Sequence, residues 1–530
     1  MATPEFRDPP DHANTDDANT MDNLSLTDTR VSATAQERVA TGVAGLDDVL
    51  GGGLPRNRLY LVEGNPGTGK TTLALQFLQE GRRLGEAVLY ITLSETKDEL
   101  ADVARSHGWS LDGISLYEID DLEGGRDNDE EQEYTVFHPA EVELSETSQR
   151  ICAQVERLNP TRVVFDSLSE FRLMAQGALR YRREILRLKQ FFAGRQSTVL
   201  LLDDRTSEQN DLQLQSISHG VIRLERIDSE YGVSRRRLQV MKMRGVCYRD
   251  GFHDYVINTG GLAVFPRLVA SEHRPEYRKE KASSGVAGLD TLLGGGVERG
   301  SSSLIIGPAG SGKSTLATQF IWAACKRGEP VWCGIFEENC ETFRDRASGT
   351  GMAVAEFIDG GLLQLEQIDP GALSPGEFIA RVRRAVERDR MRIIVIDSLN
   401  GYLNAMPNEQ FLLVQMHELL TYLSQRGVIT FLIMAQHGLM GHMQAPIEVS
   451  YLADNVLLLR YFEAQGEVRL ALSIVKKRKS AHERTIRELW LTNEGIRIGE
   501  PLRAFRGVLT GVPKFEGDTK NLSATDDGRS

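Results

Sequence analysis

The chain has 530 residues, of which 41% are hydrophobic and 26% are charged, a composition that allows two or three folded domains and excludes a wholly disordered protein. Its formal net charge of -13 gives no overall attraction to a phosphate backbone, which disfavours nucleic acid as a partner. No signal segment opens the chain, and no apolar run approaches the ~20 residues that cross a bilayer. The five cysteines form no CxxC pair, so we expect a cytoplasmic protein without zinc.

A long internal repeat divides the chain. Thr41–Asp47 (TGVAGLD) recurs as Ser284–Asp290 (SGVAGLD), and a glycine-rich motif that begins at Gly64 recurs at Gly307 with the same spacing. Self-similarity over so many residues is typical of a duplicated structural unit. The sequence therefore predicts two domains of the same fold, one after the other.

The first repeat contains an acidic insertion. DSL motifs begin at Asp166 and Asp397, and they lie closer together than the earlier pairs of motifs do. The extra residues of the first repeat fall on Asp120–Glu133 (DDLEGGRDNDEEQE). A run of like charges is typical of a solvated loop; a partner-docking element is the alternative.

Composition sets the expected domain boundaries. The first residues are rich in Asp, Asn, Thr and Ser, and they have too few large apolar side chains to offset the entropy of ordering. A polar, charged stretch separates the repeats. We predict a disordered tail (1–36), a first domain (37–271), a linker (272–282), a second domain (283–506) and a flexible C-terminal tail (507–530).

The order of apolar segments predicts an α/β fold. In the first repeat a short apolar strand precedes the glycine motif, helix-period residues Leu73, Phe77 and Leu84 follow it, and strands and helices then alternate. Such alternation is typical of a mostly parallel sheet with helices on both faces. Each repeat closes with an antiparallel strand pair. The predicted strands are Leu59–Glu63, Ala87–Leu93 and Arg162–Phe165, with the pairs Gly220–Arg226/Arg237–Met243 and Asn455–Tyr461/Val468–Val475.

Two complete phosphate-binding loops are the most specific motifs. Gly64–Thr71 (GNPGTGKT) and Gly307–Ser314 (GPAGSGKS) both match G-x-x-x-x-G-K-[ST] between a strand and a helix. The glycines let backbone N–H groups surround the β-phosphate, and the lysine neutralises the β/γ oxygens. The predicted ATP-binding residues are Gly64, Asn65, Pro66, Gly67, Thr68, Gly69, Lys70, Thr71, Thr72, Gly307, Pro308, Ala309, Gly310, Ser311, Gly312, Lys313, Ser314 and Thr315.

A Mg²⁺ site is predicted beside each loop. The hydroxyls of Thr71 and Ser314 are the usual metal ligands of such loops. Asp166 and Asp397 each end an apolar strand (RVVFDS, RIIVIDS), where a carboxylate can reach the water shell of the metal. A strand-end turn is the alternative role for these two residues, and their position downstream of a phosphate loop in both repeats favours the metal.

Candidate general bases follow the second strand of each repeat. The second repeat offers Glu337 and Glu338 (IFEEN), whereas the first reads TLSET and has Ser94 in place of one carboxylate, leaving Glu95. A glutamate here can polarise water or a hydroxyl near the γ-phosphate. A solvated strand end or a helix cap is the alternative.

These motifs together resemble the KaiC family. The resemblance rests on SGVAGLD with its GGG, GPAGSGKST, IFEEN, IDSLN, LQVMKMRG and LSIVKKRKSAHERTIREL, and it covers roughly residues 37–506. It implies two RecA-like P-loop NTPase domains, ATP with Mg²⁺, and a double-ring homohexamer with ATP at the subunit interfaces. It also implies that Lys242, Arg244, Lys476 and Arg478 face a neighbour's ATP; solvated strand positions are the alternative role.

The resemblance further implies serine autokinase activity in the second domain. Aligning YLADNVLLLRYFE with the family's phosphorylated region places Ser450 on the serine and Tyr451 on the threonine of its two adjacent phosphorylation sites. Glu338 is our candidate base for the Ser450 hydroxyl. An ordinary interface serine is the alternative for Ser450, and the departures at Tyr451 and Ser94 argue against a two-site cycle and leave hydrolysis in the first domain open.

Three functions fit these observations. The first is a KaiC-like ATPase and autokinase in signalling or circadian-type regulation, with regulatory proteins as partners and no membrane. The second is a DNA-dependent ATPase of the same superfamily, which the acidic balance disfavours and a salt-dependent binding titration would detect. The third is a nucleotide-switched binding module with slow turnover.

Overall fold

Each repeat builds its own mixed sheet flanked by helices. The computed structural model describes residues 37–119, 139–175, 177–205, 212–228, 232–270, 277–278, 280–404, 409–436, 450–508 and 514–515. The predicted N-terminal tail and the acidic insertion Asp120–Glu133 lie outside the described residues.

The first domain contains seven helices and eleven strands among its described residues. The helices are α1 (Leu46–Val49), α2 (Lys70–Arg83), α3 (Lys97–Ser106), α4 (Pro139–Leu158), α5 (Leu168–Ala175), α6 (Ala178–Ala193) and α7 (Leu212–Ile217). The strands are β1 (Arg38–Val39), β2 (Leu54–Pro55), β3 (Leu59–Gly64), β4 (Val88–Thr92), β5 (Ser115–Glu118), β6 (Arg162–Asp166), β7 (Thr198–Asp204), β8 (Gly220–Ile227), β9 (Arg235–Met243), β10 (Phe252–Asn258) and β11 (Gly261–Phe265).

The second domain repeats this series. Its helices are α8 (Ala287–Leu292), α9 (Lys313–Lys326), α10 (Cys340–Gly349), α11 (Ala355–Asp359), α12 (Pro375–Glu387), α13 (Leu399–Asn404) and α14 (Glu409–Gln425). Its strands are β12 (Lys281–Ala282), β13 (Val297–Glu298), β14 (Ser302–Gly307), β15 (Val331–Ile335), β16 (Leu363–Gln367), β17 (Ile393–Asp397), β18 (Ile429–Ala435), β19 (Asn455–Ala464), β20 (Glu467–Lys477), β21 (Ile486–Thr492), β22 (Gly495–Pro501), β23 (Phe505–Arg506) and β24 (Lys514–Phe515).

The two sheets have the same strand order. The first runs β5-β4-β6-β7-β3-β8-β9-β10-β11 and the second β16-β15-β17-β18-β14-β19-β20-β21-β22. From β5 to β8, and from β16 to β19, the neighbouring strands are parallel, and the remaining strands of each sheet pair antiparallel. The antiparallel pairs β8–β9 and β19–β20 confirm the predicted extension.

Both faces of each sheet are covered, as strand periodicity shows. In β3, Leu59 and Leu61 belong to one buried cluster, whereas Tyr60 and Val62 belong to the other. Because successive side chains of a strand point to opposite faces, these two clusters lie on the two sides of the sheet. The predicted α/β class, with two tandem P-loop domains, is therefore confirmed.

The boundaries differ in detail from the sequence-based ones. Lys281–Ala282, which we assigned to the linker, pair with Val297–Glu298 and so belong to the second domain. Val508, which we assigned to a flexible tail, is 1% exposed and packs in a small apolar cluster with Phe462. Leu84, which we expected on the apolar stripe of α2, lies just after that helix and is exposed.

The two domains contact each other through the first domain's late strands. The Gly376 N–H, in the first turn of α12, donates to Asp254 Oδ2 on β10 at 2.8 Å. Arg235 on β9 donates to the Pro370 carbonyl at 2.9 Å. α12 begins there because the Ser374 hydroxyl accepts from the Glu377 N–H and Pro375 fills the first turn.

Candidate nucleotide-binding sites

The two phosphate loops lie where a central parallel strand meets a helix. β3 leads into α2 and β14 leads into α9, so both loops sit at the carboxyl edge of their sheets. Gly69 and Gly312 precede the helices with φ of 91° and 80°. Only glycine adopts this left-handed conformation readily, so the motif glycines give each loop a turn that aims the helix N-terminus at its centre.

The motif lysines are buried inside their loops. Lys70 Nζ donates to the carbonyls of Gly64 and Asn65 and lies 2.6 Å from Asp204 Oδ1. Lys313 Nζ donates to the Pro308 carbonyl at 2.7 Å, and burial lowers the pKa of Lys313. A buried ammonium gains much from an anion, since a charge out of water is costly unless it is paired. Both loops are therefore suited to bind a triphosphate.

In the first domain, oxygen donors gather beside Thr71. The Thr71 hydroxyl donates to Asp166 Oδ2 at 3.4 Å, and Tyr90 donates to the same oxygen. Burial raises the pKa of Asp166. Burial, and then the charge of Asp166, raise the pKa of Glu95 to about 7, and buried Glu95 Oε2 has no hydrogen-bond partner in the part of the chain that the structure describes.

The second domain arranges its acids differently. Burial raises the pKa of Asp397, which accepts a hydrogen bond from Ser314. Glu337 accepts from the Ser398 hydroxyl. Glu338 instead pairs with Arg346, which donates from Nη2 at 2.5 Å and from Nε at 3.3 Å. The guanidinium holds the Glu338 carboxylate in a two-point ion pair, whereas Glu337 stays with the metal-side residues.

None of the three glutamates caps the helix that follows it. Thr96 caps α3 and Asn339 caps α10, each accepting a backbone N–H through its side-chain oxygen. Glu95, Glu337 and Glu338 precede these caps and keep their carboxylates for other contacts.

The oxygen donors fit Mg²⁺. Thr71 with Asp166, and Ser314 with Asp397, supply one hydroxyl and one carboxylate each, and the orphaned Glu95 Oε2 marks a place where a metal-bound water would be stabilised. Within the described ranges, no group of three or more His, Cys, Asp or Glu side chains is placed to hold a metal ion by itself. Such sites hold Mg²⁺ jointly with substrate phosphates.

The raised pKa of Glu95 leads to a pH-dependent stability. Between its ordinary pKa of 4.5 and about 7, the folded chain keeps a proton that the unfolded chain has released, so stability falls as pH rises through this window. Glu95→Gln has no ionisable group at this position and should therefore not lose stability in this pH window. In metal-free buffer we expect wild type to lose ~1–2 kcal/mol relative to the variant between about pH 5 and about pH 8, a figure reduced because the carboxyl is partly exposed.

Urea unfolding of the two proteins at both pH values measures this difference. Added Mg²⁺ serves as the control and should shrink it, because a nearby cation favours the ionised carboxylate. Identical pH dependence in the two proteins would show that Glu95 is not the perturbed group.

The predicted neighbour-facing residues lie at the opposite edge of each sheet. Arg244 N–H donates to the His219 carbonyl, and His219 N–H donates to the carbonyl of Leu59, the first residue of β3. The phosphate loop starts five residues later at Gly64, ~16 Å along the strand. Arg478 likewise bonds to Asp454, beside Ser302 at the start of β14. These side chains are therefore remote from their own chain's phosphate loop.

Side-chain contacts fix these basic groups. Lys242 donates to the Gln215 carbonyl and Arg244 to the Ser216 carbonyl. In the second domain Lys476 donates to the carbonyls of Ser450 and Ala453, and Arg478 donates to that of Tyr451. In both domains the pair thus binds the segment that leads into the neighbouring strand.

A positive cluster surrounds His219. Burial, and then the charges of Arg58, Lys189, Arg244 and Lys242, lower the pKa of His219 to about 4. The sequence analysis missed Arg58, Lys189 and His219 because they are far from the other residues in the chain. It also missed Asp204 and Arg346, although Asp204 ends an apolar strand just as Asp166 does.

Ser450 is exposed, and so is its neighbour Tyr451, at 52%. Both precede β19, at the edge remote from the chain's own phosphate loop.

Among the described residues, no helix combines the length and hydropathy needed to cross a membrane.

Comparison with known proteins agrees with this geometry. Residues 39–269 and 282–503 match the model of the KaiC ATPase family. The circadian clock oscillator protein KaiC of Parathermosynechococcus lividus is 29% identical over 496 residues, 91% of this chain and 89% of the relative. The proteins of that name from Thermostichus vulcanus and Synechocystis are each 28% identical, over 492 and 488 residues, with coverage of 92% and 90% of this chain and 93% and 92% of the relatives. Since the family match spans both repeats, the chain belongs to the KaiC family of ATPases, with two such domains in tandem.

Proposed function

We propose that this KaiC-family ATPase binds Mg²⁺ and ATP in both domains, assembles as a homohexamer with ATP at the subunit interfaces, and transfers phosphate to its own Ser450. The observation that carries the proposal is the repeated geometry of a buried lysine, a loop hydroxyl and a strand-end aspartate around each phosphate loop. Thr71 with Asp166, and Ser314 with Asp397, would hold Mg²⁺, which would supply charge neutralisation at the phosphates.

The ring is supported by the placement of the basic side chains. Lys242, Arg244, Lys476 and Arg478 lie at the edge of each sheet remote from their own phosphate loop. A group there can contact ATP only if another copy brings its loop to that edge. Four basic side chains around His219 give this edge an unusual affinity for anions. In a closed ring every copy places its basic side chains against one neighbour's phosphate loop and receives those of the other neighbour at its own loop.

Glu337 is the better candidate base of the second domain. It accepts from Ser398, next to Asp397, and its charge acts on Lys313. Glu338, our sequence-based choice, is instead held by Arg346 in a two-point ion pair and turned away from Ser398. We therefore move the base role from Glu338 to Glu337, which accepts the proton of the attacking hydroxyl or water.

Ser450 is the proposed acceptor because it is exposed on the same edge as Lys476 and Arg478. Those cations would hold the neighbour's γ-phosphate near its hydroxyl and stabilise charge during transfer, as arginine fingers do. Tyr451 occupies the adjacent site, so one serine takes the phosphate.

One incubation tests ring and kinase together. After incubation with ATP and Mg²⁺, we expect native mass measurement to show six copies and peptide mass measurement to show one added phosphate on Ser450. Ser450→Ala, which removes only the hydroxyl oxygen, should abolish this modification while preserving the ring. A monomer that hydrolyses ATP, or phosphate found only at other residues, would contradict the assembly or the acceptor respectively.

The physiological role proposed is cytoplasmic signalling or circadian-type regulation through regulatory protein partners. The relatives are named as circadian clock oscillator proteins, and this chain shares their two-domain order. The single serine acceptor suits a simpler on–off signal.

A further inference from the structure

Asp204 is a carboxylate outside the motifs identified in the sequence, and it lies at the phosphate end of the first site. It ends β7, opposite Gly64, the first residue of the phosphate loop. Its Oδ1 is 2.6 Å from Lys70 Nζ, and its side chain is 29% exposed. The adjacent Asp203 is 9% exposed and pairs with Arg172. Of these two neighbouring acids, Asp204 is therefore the one that faces the loop.

The contact with Lys70 places Asp204 close to the reacting phosphate. The lysine of a phosphate loop contacts the β/γ oxygens. Phosphate bound in the loop would compete with Asp204 for this ammonium, so the Lys70–Asp204 ion pair, unlike the pair of Glu338 with Arg346, is weakened at the place where the γ-phosphate binds. The Asp204 N–H donates to Ser169 Oγ at 3.1 Å, so this position is fixed by α5.

The corresponding strand position of the second domain holds no carboxylate. Its β18 residue opposite Gly307 is Ala435, and its metal side holds Glu337. The first domain has the reverse arrangement, with the exposed Ser94 at the position of Glu337 and Asp204 at the position of Ala435. The two sites thus differ in which of these two positions carries a carboxylate.

We propose that Asp204 is the catalytic carboxylate of ATP hydrolysis in the first domain, taking the role that Glu337 has in the second. An inline water donates a hydrogen bond to Asp204; its oxygen bonds to the γ-phosphorus as its proton moves to the carboxylate. The bond from that phosphorus to the β–γ bridging oxygen breaks, and its electron pair leaves with ADP. The proton then passes from Asp204 to the released phosphate.

Glu95 is the rival, and its surroundings place it with the metal instead. It lies beside Thr71 and Asp166, and both carboxylates belong to the Mg²⁺ side of the site. A cation there lowers the proton affinity of Glu95 and engages it with the metal's water shell. Asp204 instead contacts Lys70 directly, with 2.6 Å between Asp204 Oδ1 and Lys70 Nζ.

The inference rests on the proposed function, and its test separates the two. All proteins carry Glu337→Gln, which silences the second domain, and steady-state ATP hydrolysis and retained ATP are measured for each. Asp204→Asn should lower hydrolysis ~100-fold or more while ATP binding changes only a few-fold. Adding Ser94→Glu to Asp204→Asn should recover at least a tenth of the parent rate. Asp203→Asn, the matched control one residue away, should stay within a few-fold of the parent.

The outcomes are distinct. Rescue by Ser94→Glu supports a chemical role, because a purely structural defect at Asp204 would not be repaired from another strand. Three outcomes would each overturn the assignment of Asp204. They are unchanged ATP hydrolysis in Asp204→Asn, loss of ATP binding in that variant, and loss of hydrolysis when Glu95→Gln is the only change added to the parent. A parent without hydrolysis would overturn it too. If the unmodified chain hydrolyses no ATP, the proposed function itself fails.

Discussion

Replacing both Lys70 and Lys313 by alanine should abolish retention of ATP and all hydrolysis. Each ammonium is buried in its loop, and removing a buried charge from a matched ion pair costs roughly 3–5 kcal/mol, or a ~10²–10⁴-fold loss of affinity at each site. Equilibrium binding of a fluorescent ATP analogue in Mg²⁺ buffer measures this loss. The single variants should each retain one site.

A matched control lies on the same helix as Lys313. Lys326, at the other end of α9, is exposed and stacks on Trp322, and Lys326→Ala should leave binding unchanged. Circular dichroism reports whether the double variant is folded. A folded double variant that still retains ATP would disprove the nucleotide sites.

The second large effect is expected at Glu337. Glu337→Gln keeps the size of the side chain and removes its basicity, so we expect phosphate incorporation at Ser450 to fall ~10²–10⁴-fold, the usual contribution of a general base. Glu338→Gln is the matched variant one residue away. It should lower incorporation less than tenfold, since it only weakens the contact with Arg346. Initial rates of labelled phosphate incorporation measure both.

The comparison between these two variants decides the base. If phosphate incorporation falls strongly in Glu338→Gln and stays near normal in Glu337→Gln, then Glu338 is the general base. Retained binding of ATP in both variants confirms that the loss is one of chemistry.

The two sites have diverged in the charges around a conserved framework. Glu95 and Glu338 occupy the same position, yet Glu338 has Arg346 as partner whereas the corresponding residue of α3 is Val103. In the first domain burial, and then the charge of Asp166, raise the pKa of Glu95 to about 7. The arginine therefore marks the difference in surroundings between these two glutamates.

Sequence reasoning identified the phosphate loops, the strand-end aspartates and the α/β class because all three depend on local pattern. Glycine at Gly69 and Gly312 is required by the local backbone conformation, and alternating apolar strands and helices select a parallel sheet. Sequence reasoning was less accurate at the domain boundaries. Val508 is buried by Phe462, which is distant in the chain, and no composition rule detects such a contact.

The amino-acid sequence by itself determined that there are two domains, that each has a phosphate loop, and which hydroxyl and aspartate accompany it, because each of these follows from residues adjacent in the chain. Only the tertiary structure decided which acids face the lysines. Lys70, at the start of α2, meets Asp204, at the end of β7, and Glu338 meets Arg346 across the start of α10. Such pairings depend on strand order and helix orientation, and these set the electrostatic environment that distinguishes one carboxylate from another.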